Sequence, residues 1–341
     1  MSKNKIKIHI RNNHWKKGSL PSDLEGEKNS SVPKDLFESM LNKLPQIKDK
    51  ITYLVDWDDD NWISSMKDAD ILFAWNFPTK DLAEIAPNLK WIHIVSAGVN
   101  HLYPFNWMKK DLVLTNSSGI HAKKAGEFGL MSILMLQNNM TRIITNQKNR
   151  EFVTLLSKPI NGKKVVVVGT GSLGGSMIKH ISLLGAEVIG INRRGRKVEG
   201  CSRTITFDKI DEVLPEADFL YLAVPETIET KGLISKKRLD NLKSTCGIVN
   251  IGRESVMDYE HLRKKLERNE ISGAIIDVFS QEPINKNSKF WDTPNLVITP
   301  HISSDSKGNY IEMVLEKFFK NLILFIDKKD LHNQVDPKLG Y

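Results

Sequence analysis

Cysteine is almost absent: Cys201 and Cys246 are the only two in 341 residues. That number builds no disulfide framework and lacks the spacing of a metal site, so no metal is expected and a reducing compartment fits. Long apolar runs are missing too. No uninterrupted stretch approaches the roughly 18 residues of a spanning helix, and the N-terminal MSKNKIKIHIRNN contains no apolar signal core. A cytoplasmic chain with no membrane partner is the expectation. The formal net charge of +8 raises the question of nucleic acid, but the basic residues fall in short groups at Lys109, Lys123, Lys236 and Arg263, set among acids and amides. No basic stripe is interleaved with aromatics, so they read as solvated surface and no nucleic-acid partner is expected. Solenoid repeats and low-complexity tracts are also missing.

What remains is the composition of an ordinary globular protein, at a length that exceeds one hydrophobic core and predicts two domains. Short β-rich runs alternate with helical stretches: KIKIHI, PKDLFESMLNKL, ITYLVD, ADILFAW, TKDLAEIAPN, KWIHIV and DLVLTN. Such alternation predicts parallel strands joined by crossover helices, an α/β fold. After Gly119 comes a long stretch without proline, HAKKAGEFGLMSILMLQNNMTRIITNQKN, that reads as one connecting helix. A second series of six strands follows, KVVVVG, EVIGIN, DFLYLAV, GIVNIG, GAIIDVF and LVIT, and predicts a doubly wound parallel sheet. The segment KGNYIEMVLEKFFKNLILFI near the C-terminus reads as an amphipathic helix that must pack on a domain already built, with the first as host.

Gly169, Gly171 and Gly174 stand in G-x-G-x-x-G spacing between a strand and a helix. The first glycine permits the tight turn, the second a close approach of pyrophosphate, and the third close packing of helix on strand. Together with Ser172 and Leu173 they open the helix, whose free amides and positive dipole end suit phosphate. The next strand end normally carries an acid for the ribose of NAD. Here it carries Asn192, followed by Arg193, Arg194 and Arg196, which suits the 2′-phosphate of NADP(H) better and leaves NAD(H) as the alternative.

Arg253 in VNIGRES, Asp277 and Glu282 in IIDVFSQEP and His301 in ITPHISS all follow strands of the second series, where ligands of open α/β sheets bind. With VSAGVN, GTGSLG and the closing VDPKLGY, these motifs occur in one order over nearly the whole chain. In that order the chain resembles the D-isomer-specific 2-hydroxyacid dehydrogenases, and among them the NADPH-dependent glyoxylate and hydroxypyruvate reductases.

The resemblance implies a flavodoxin-like substrate-binding domain over 1–115, with 303–341 packing back on it, and a Rossmann domain over 116–302. It implies hydride reduction of a small 2-keto acid to the D-2-hydroxy acid, with Arg253 gripping the carboxylate and carbonyl oxygen. His301 would be the proton donor, held in orientation by Glu282. Ser96, Ala97 and Gly98 would help to hold the substrate carboxylate, and their small side chains leave amides open to an anion. Asp277 would orient the nicotinamide carboxamide, and Val224 and Pro225 would border the cofactor. Trp75 and Phe77 are candidates for a pocket wall, although aromatics at a strand end are more often core. A homodimer built on the segment after Gly119 is also implied, as LMSILML carries more apolar surface than one helix face needs. Closure of the two domains would exclude water. Glu254 departs from the pattern, because the family usually has glycine after the arginine. Two alternatives stay open: an NAD-dependent oxidative enzyme acting on a compound such as phosphoglycerate, and a dinucleotide-sensing regulatory protein of the corepressor kind.

Overall fold

The computed structural model describes residues 5–14, 31–304, 309–338 and 340. The chain divides into two compact units, one from Met1–Ile120 with Ser306–Tyr341 and the other from His121–Asp305.

The first unit is a parallel five-stranded sheet of order β2-β1-β3-β4-β5. Its strands are β1 (Ile6–Asn12), β2 (Ile51–Trp57), β3 (Ile71–Ala74), β4 (Trp91–Ile94) and β5 (Val113–Asn116). This is the flavodoxin-like order. Its helices are α1 (Lys34–Asn42), α2 (Pro45–Lys48), α3 (Trp62–Met66), α4 (Leu82–Ile85) and α10 (Tyr310–Ile326). Both faces of the sheet are covered, so its strands read as continuous apolar runs. Ile71 and Phe73 join the core formed with Phe37 and Phe318 on one face, while Leu72 and Ala74 join Trp62 and Leu82 on the other. Phe318 of α10 stacks on Trp91 of β4 with centroids 5.1 Å apart. TKDLAEIAPN forms only the four-residue α4, entered through Asp81 in the left-handed region. Phe77 is core rather than pocket wall, 4% exposed between Trp62 and Trp107.

The second unit is a parallel sheet of order β12-β11-β10-β9-β6-β7-β8. It contains β6 (Lys164–Val168), β7 (Glu187–Ile191), β8 (Arg203–Ile205), β9 (Phe219–Leu222), β10 (Gly247–Asn250), β11 (Gly273–Ile276) and β12 (Leu296–Ile298). Its helices are α5 (Ala122–Gln137), α6 (Met140–Asn149), α7 (Ser172–Ser182), α8 (Lys236–Asp240) and α9 (Tyr259–Glu267). Strand order reverses between β6 and β9, as in a doubly wound Rossmann sheet. There are seven strands rather than the six expected, the addition being the short edge strand β8 beside β7.

The single connecting helix expected after Gly119 is two helices. Asn139 adopts φ +57°, which breaks the ladder, and the Asn138 side chain donates to the Leu134 carbonyl at 2.8 Å. The apolar surplus of α5 is largely spent within its own unit. Ile133 and Leu136 are buried, Leu130, Leu134 and Met135 pack on the same core, and only Met131 is exposed. Gly129 lets α5 approach α7, since a Cβ there would lie 2.6 Å from the Met177 side chain. Among the described residues no helix is long and apolar enough to cross a membrane.

Candidate active site

The glycine turn closes β6 and opens α7. Gly169 has φ +92°, and a Cβ there would lie 2.7 Å from the Ala223 carbonyl oxygen. A Cβ on Gly174 would stand 1.9 Å from the carbonyl oxygen of Gly169. Gly171 differs from both: a Cβ there would meet nothing within 4 Å. Among the described residues the space beside it is open and no side chain caps the helix, and the first amides of α7, those of Ser172, Leu173 and Gly174, have no intrahelical acceptors. A dinucleotide pyrophosphate fits this cradle in both shape and charge. Val224 is buried between the turn and the Arg253 loop: its side chain faces Gly169, and its carbonyl lies 2.6 Å from where a Cβ of Gly252 would be. Pro225 is exposed at the same strand end, its carbonyl accepting from the Thr230 hydroxyl at 2.6 Å.

Asn192 folds the loop after β7 around its own side chain. Its Nδ2 donates to Thr170 Oγ1 at 3.1 Å and to the Arg196 carbonyl at 2.9 Å, and its Oδ1 accepts from the amides of Arg194 and Arg196. The residue in the acid's place therefore orders the arginines that follow it. Arg193 pairs with Glu229 at 3.2 Å, whereas Arg194 and Arg196 are exposed without an ion-pair partner among the described residues.

On the neighbouring strand ends, Glu282 Oε2 lies 2.7 Å from His301 Nδ1, and Glu282 Oε1 accepts from the Phe279 amide at 2.7 Å. His301 sits at φ +54°, a left-handed conformation that few side chains adopt. Its ring is one-third exposed, and Nε2 has no partner among the described residues. An imidazole held through Nδ1 by a carboxylate can present a proton at Nε2. Arg253 is exposed and commits Nη1 to the Gly252 carbonyl at 2.7 Å, while Nε and Nη2, without a partner among the described residues, can grip an anion.

Asp277, which the resemblance assigns to the nicotinamide carboxamide, is bonded in the structure to the loop that carries His301. It is 1% exposed. Its Oδ1 accepts from Thr299 Oγ1 at 2.5 Å and the Ile302 amide at 2.9 Å, and its Oδ2 accepts from the Ser303 amide at 3.0 Å. Three donors occupy a buried carboxylate, so its first task is to anchor the His301 loop.

Sequence reasoning missed Asn250 and Tyr259. Asn250 Nδ2 donates to the Arg253 carbonyl at 3.0 Å and to the Tyr259 hydroxyl at 2.9 Å, and that hydroxyl donates to the Val278 carbonyl at 3.0 Å. Burial first, and then the carboxylate of Glu254, hold the Tyr259 hydroxyl well above its usual range, so it keeps its proton. The signal was a buried Asn ending β10 within a run that is otherwise apolar.

In the first unit, the turn after β4 ties back its carbonyls. Asn116 Nδ2 donates to the Ala97 carbonyl at 2.8 Å, the Ser117 amide to the Ser96 carbonyl at 3.1 Å, and Ser96 Oγ to the Gly98 carbonyl at 2.7 Å. The amides of Ala97 and Gly98 have no acceptor among the described residues.

Comparison with known proteins gives the family. Residues 130–303 match the model of the D-isomer specific 2-hydroxyacid dehydrogenase NAD-binding domain. A glyoxylate reductase of Thermofilum pendens is 31% identical over 232 residues, 66% of this chain and 68% of that protein. A crystal structure of an NADPH-dependent glyoxylate/hydroxypyruvate reductase from Sinorhizobium meliloti, in complex with NADP and sulfate, superposes with a TM-score of 0.76 at 23% identity, covering 99% of this chain and all of that one. A 2-hydroxyacid dehydrogenase from Xanthobacter autotrophicus in complex with NADPH superposes at 0.78 with 20% identity over 99% of both chains. The chain belongs to the D-isomer specific 2-hydroxyacid dehydrogenase family and is an oxidoreductase that acts on CH–OH with NAD(P).

Proposed function

We propose that the chain reduces a small 2-keto acid of the glyoxylate or hydroxypyruvate kind to the D-2-hydroxy acid, with NADPH as the preferred reductant. The observation that carries the reading is the Glu282–His301 pair, 2.7 Å apart and with Nε2 unpartnered among the described residues. The dinucleotide, when bound, supplies the hydride to the carbonyl carbon. His301 gives its Nε2 proton to the oxygen that becomes negative, and Glu282 stabilises the imidazolium and fixes its plane. Arg253 holds the substrate carboxylate by its guanidinium edge, and the amides of Ala97 and Gly98, without acceptors among the described residues, offer the first unit's own place for an anion. The first unit is thereby assigned to the substrate and the second to the dinucleotide.

The preference for NADPH rests on Arg194 and Arg196, which lack ion-pair partners among the described residues, and on Asn192 in place of an acid. The glyoxylate/hydroxypyruvate reductase of Sinorhizobium meliloti, crystallised with NADP, supports the same choice. A homodimer belongs to the same proposal. Besides Met131, the segment after α6 exposes Phe152, Val153 and Leu156, apolar surface that a second copy would cover.

The test follows nicotinamide absorbance with NADPH and NADH against glyoxylate, hydroxypyruvate and phenylpyruvate, with His301→Asn as control. Asparagine tolerates the left-handed backbone but cannot act as the acid. NADPH-dependent turnover that falls about 10²–10⁴-fold in His301→Asn, with dinucleotide affinity intact, is the expected result. Undiminished turnover in that variant would remove His301 from the reaction.

A further inference from the structure

Glu254 stands where the family usually has glycine, and glycine has no atom with which to reach another loop. The residue opens a short 3₁₀ turn, Glu254–Val256, directly after the extended Arg253. Its carboxylate crosses to the loop after β11 and accepts from the backbone amide of Ser280. The amide just before it, that of Phe279, is held at 2.7 Å by Glu282. Two successive amides of one loop are thus fastened by two carboxylates. Glu282 fastens from within the loop, while Glu254 fastens from the neighbouring strand end.

The upstream part of the loop has its own fastening, because the Val278 carbonyl is bound by Tyr259, which is tied through Asn250 to the Arg253 carbonyl. Downstream of Val278 the loop is exposed from Ser280 to Glu282. Among the described residues its bond from outside the loop, apart from the His301 pairing itself, is the one to Glu254. Without that bond, Glu282 would be steadied only by its contact three residues back, and its second oxygen would hold the imidazole less firmly.

We propose that Glu254 is a positioning residue: by holding the Ser280 amide it sets the Glu282–His301 geometry and locks the proton donor's loop to the turn that carries Arg253. This rests on Glu282–His301 being the acid pair. The link between the two loops is specific to a chain with a long acceptor side chain at this position.

The experiment measures kcat, the KM for glyoxylate and the NADPH Kd on the full-length chain. The variants are Glu254→Gly, Glu254→Ala, Glu254→Gln, Glu282→Gln and Glu254→Gly combined with Glu282→Gln. Glycine is the family's usual residue, so the turn tolerates it. The expected result is a loss of about tenfold in kcat for the glycine and alanine variants, with KM and Kd within about twofold. Glutamine keeps an acceptor oxygen and should restore kcat to within about threefold of the parent. In the Glu282→Gln background, Glu254→Gly should change kcat by less than about twofold, since the group it acts through is already impaired. An unchanged kcat in Glu254→Gly and Glu254→Ala, while Glu282→Gln lowers it, overturns the proposal and leaves the acid pair standing. Equal losses from Glu254→Gly in both backgrounds overturn it as well. If Glu282→Gln has no effect, the acid-pair reading fails, and the proposal falls with it.

Discussion

The backbone amide of His301 donates to the backbone carbonyl of Asp277 at 3.0 Å, and the next two amides, Ile302 and Ser303, donate to the carboxylate of that same residue. One buried acid therefore holds three consecutive peptide groups around a histidine whose φ is +54°. A left-handed non-glycine residue persists only where its surroundings over-determine it. Here the over-determination has a named source, and it places the imidazole within reach of Glu282.

Asp277→Ala should therefore act twice. It leaves the buried Ser303 amide without its acceptor, at a cost of about 1–3 kcal/mol, and removes the bond to the amide of the exposed Ile302, at about 1 kcal/mol. It also releases the His301 loop. Urea unfolding followed by circular dichroism should show a loss of about 2–4 kcal/mol, and kcat should fall more than the dinucleotide affinity does. Stability and kcat both unchanged in the variant would show that the loop is held by something else.

Much of this fold was legible because strands covered on both faces are nearly continuous apolar runs, as in VVVV at the start of the glycine turn. The strand β8, Arg203–Ile205, was missed because it is three residues long and lies at the sheet edge, where no such run is required. The break at Asn139 was missed because the flanking residues keep a helical pattern while one residue turns left-handed. At the site, residue types and strand-end positions were readable, but the partners were not. Asp277 and Glu254 bond to backbone amides, and a backbone amide looks the same at every position of a sequence. The role of Asn192 was hidden for the same reason: it holds the amides of Arg194 and Arg196.

The glycine turn yields a contrast between two single-methyl changes. A Cβ on Gly171 meets nothing within 4 Å and its φ is −70°, so Gly171→Ala should leave thermal stability within about 0.5 kcal/mol of the parent. The same methyl would occupy the space offered to pyrophosphate, so NADPH affinity should fall about tenfold or more. Gly174→Ala drives its Cβ to 1.9 Å from a backbone oxygen that has nowhere to move, and it should destabilise the unit by about 3 kcal/mol or more. Unfolding curves with fluorescence titration of NADPH separate the two. Equal affinity in Gly171→Ala would mean that phosphate does not sit beside that residue.

The arginines after Asn192 should not be equivalent. Arg193 is already paired with Glu229, while Arg194 and Arg196 have no ion pair among the described residues. Removing both together, as Arg194→Ala with Arg196→Ala, should weaken NADPH by about 10–100-fold, the range for one or two charge-assisted bonds to a phosphate. NADH binding should change by less than about twofold, because it offers those side chains no 2′-phosphate. Equal losses for both dinucleotides would indicate a general electrostatic effect rather than recognition of the 2′-phosphate.

Acid sensitivity of the first unit should trace to histidines that have no part in the proposed chemistry. His93 is fully buried on β4, with Nδ1 2.8 Å from Thr115 Oγ1 and Nε2 3.3 Å from Ser117 Oγ, and burial lowers its pKa to about 3. His9 on β1 is lowered to about 4, again mainly by burial. A histidine whose folded pKa lies below its unfolded value binds fewer protons when folded. Stability therefore rises with pH between the folded value and about 6.5, and is lost on acidification through that window. From pH 7.5 to pH 5, His93 alone should remove about 2 kcal/mol, since each pH unit below about 6.5 is worth about 1.4 kcal/mol per group. His93→Gln keeps polar atoms for both hydroxyls but has no proton to gain, so its unfolding free energy should fall by about 2 kcal/mol less over the same interval. Denaturant unfolding at the two pH values measures the difference directly. A His93→Gln variant as acid-sensitive as the parent would show that the ring is solvated before the unit unfolds, because only a histidine that stays dry and neutral in the folded state can produce that slope.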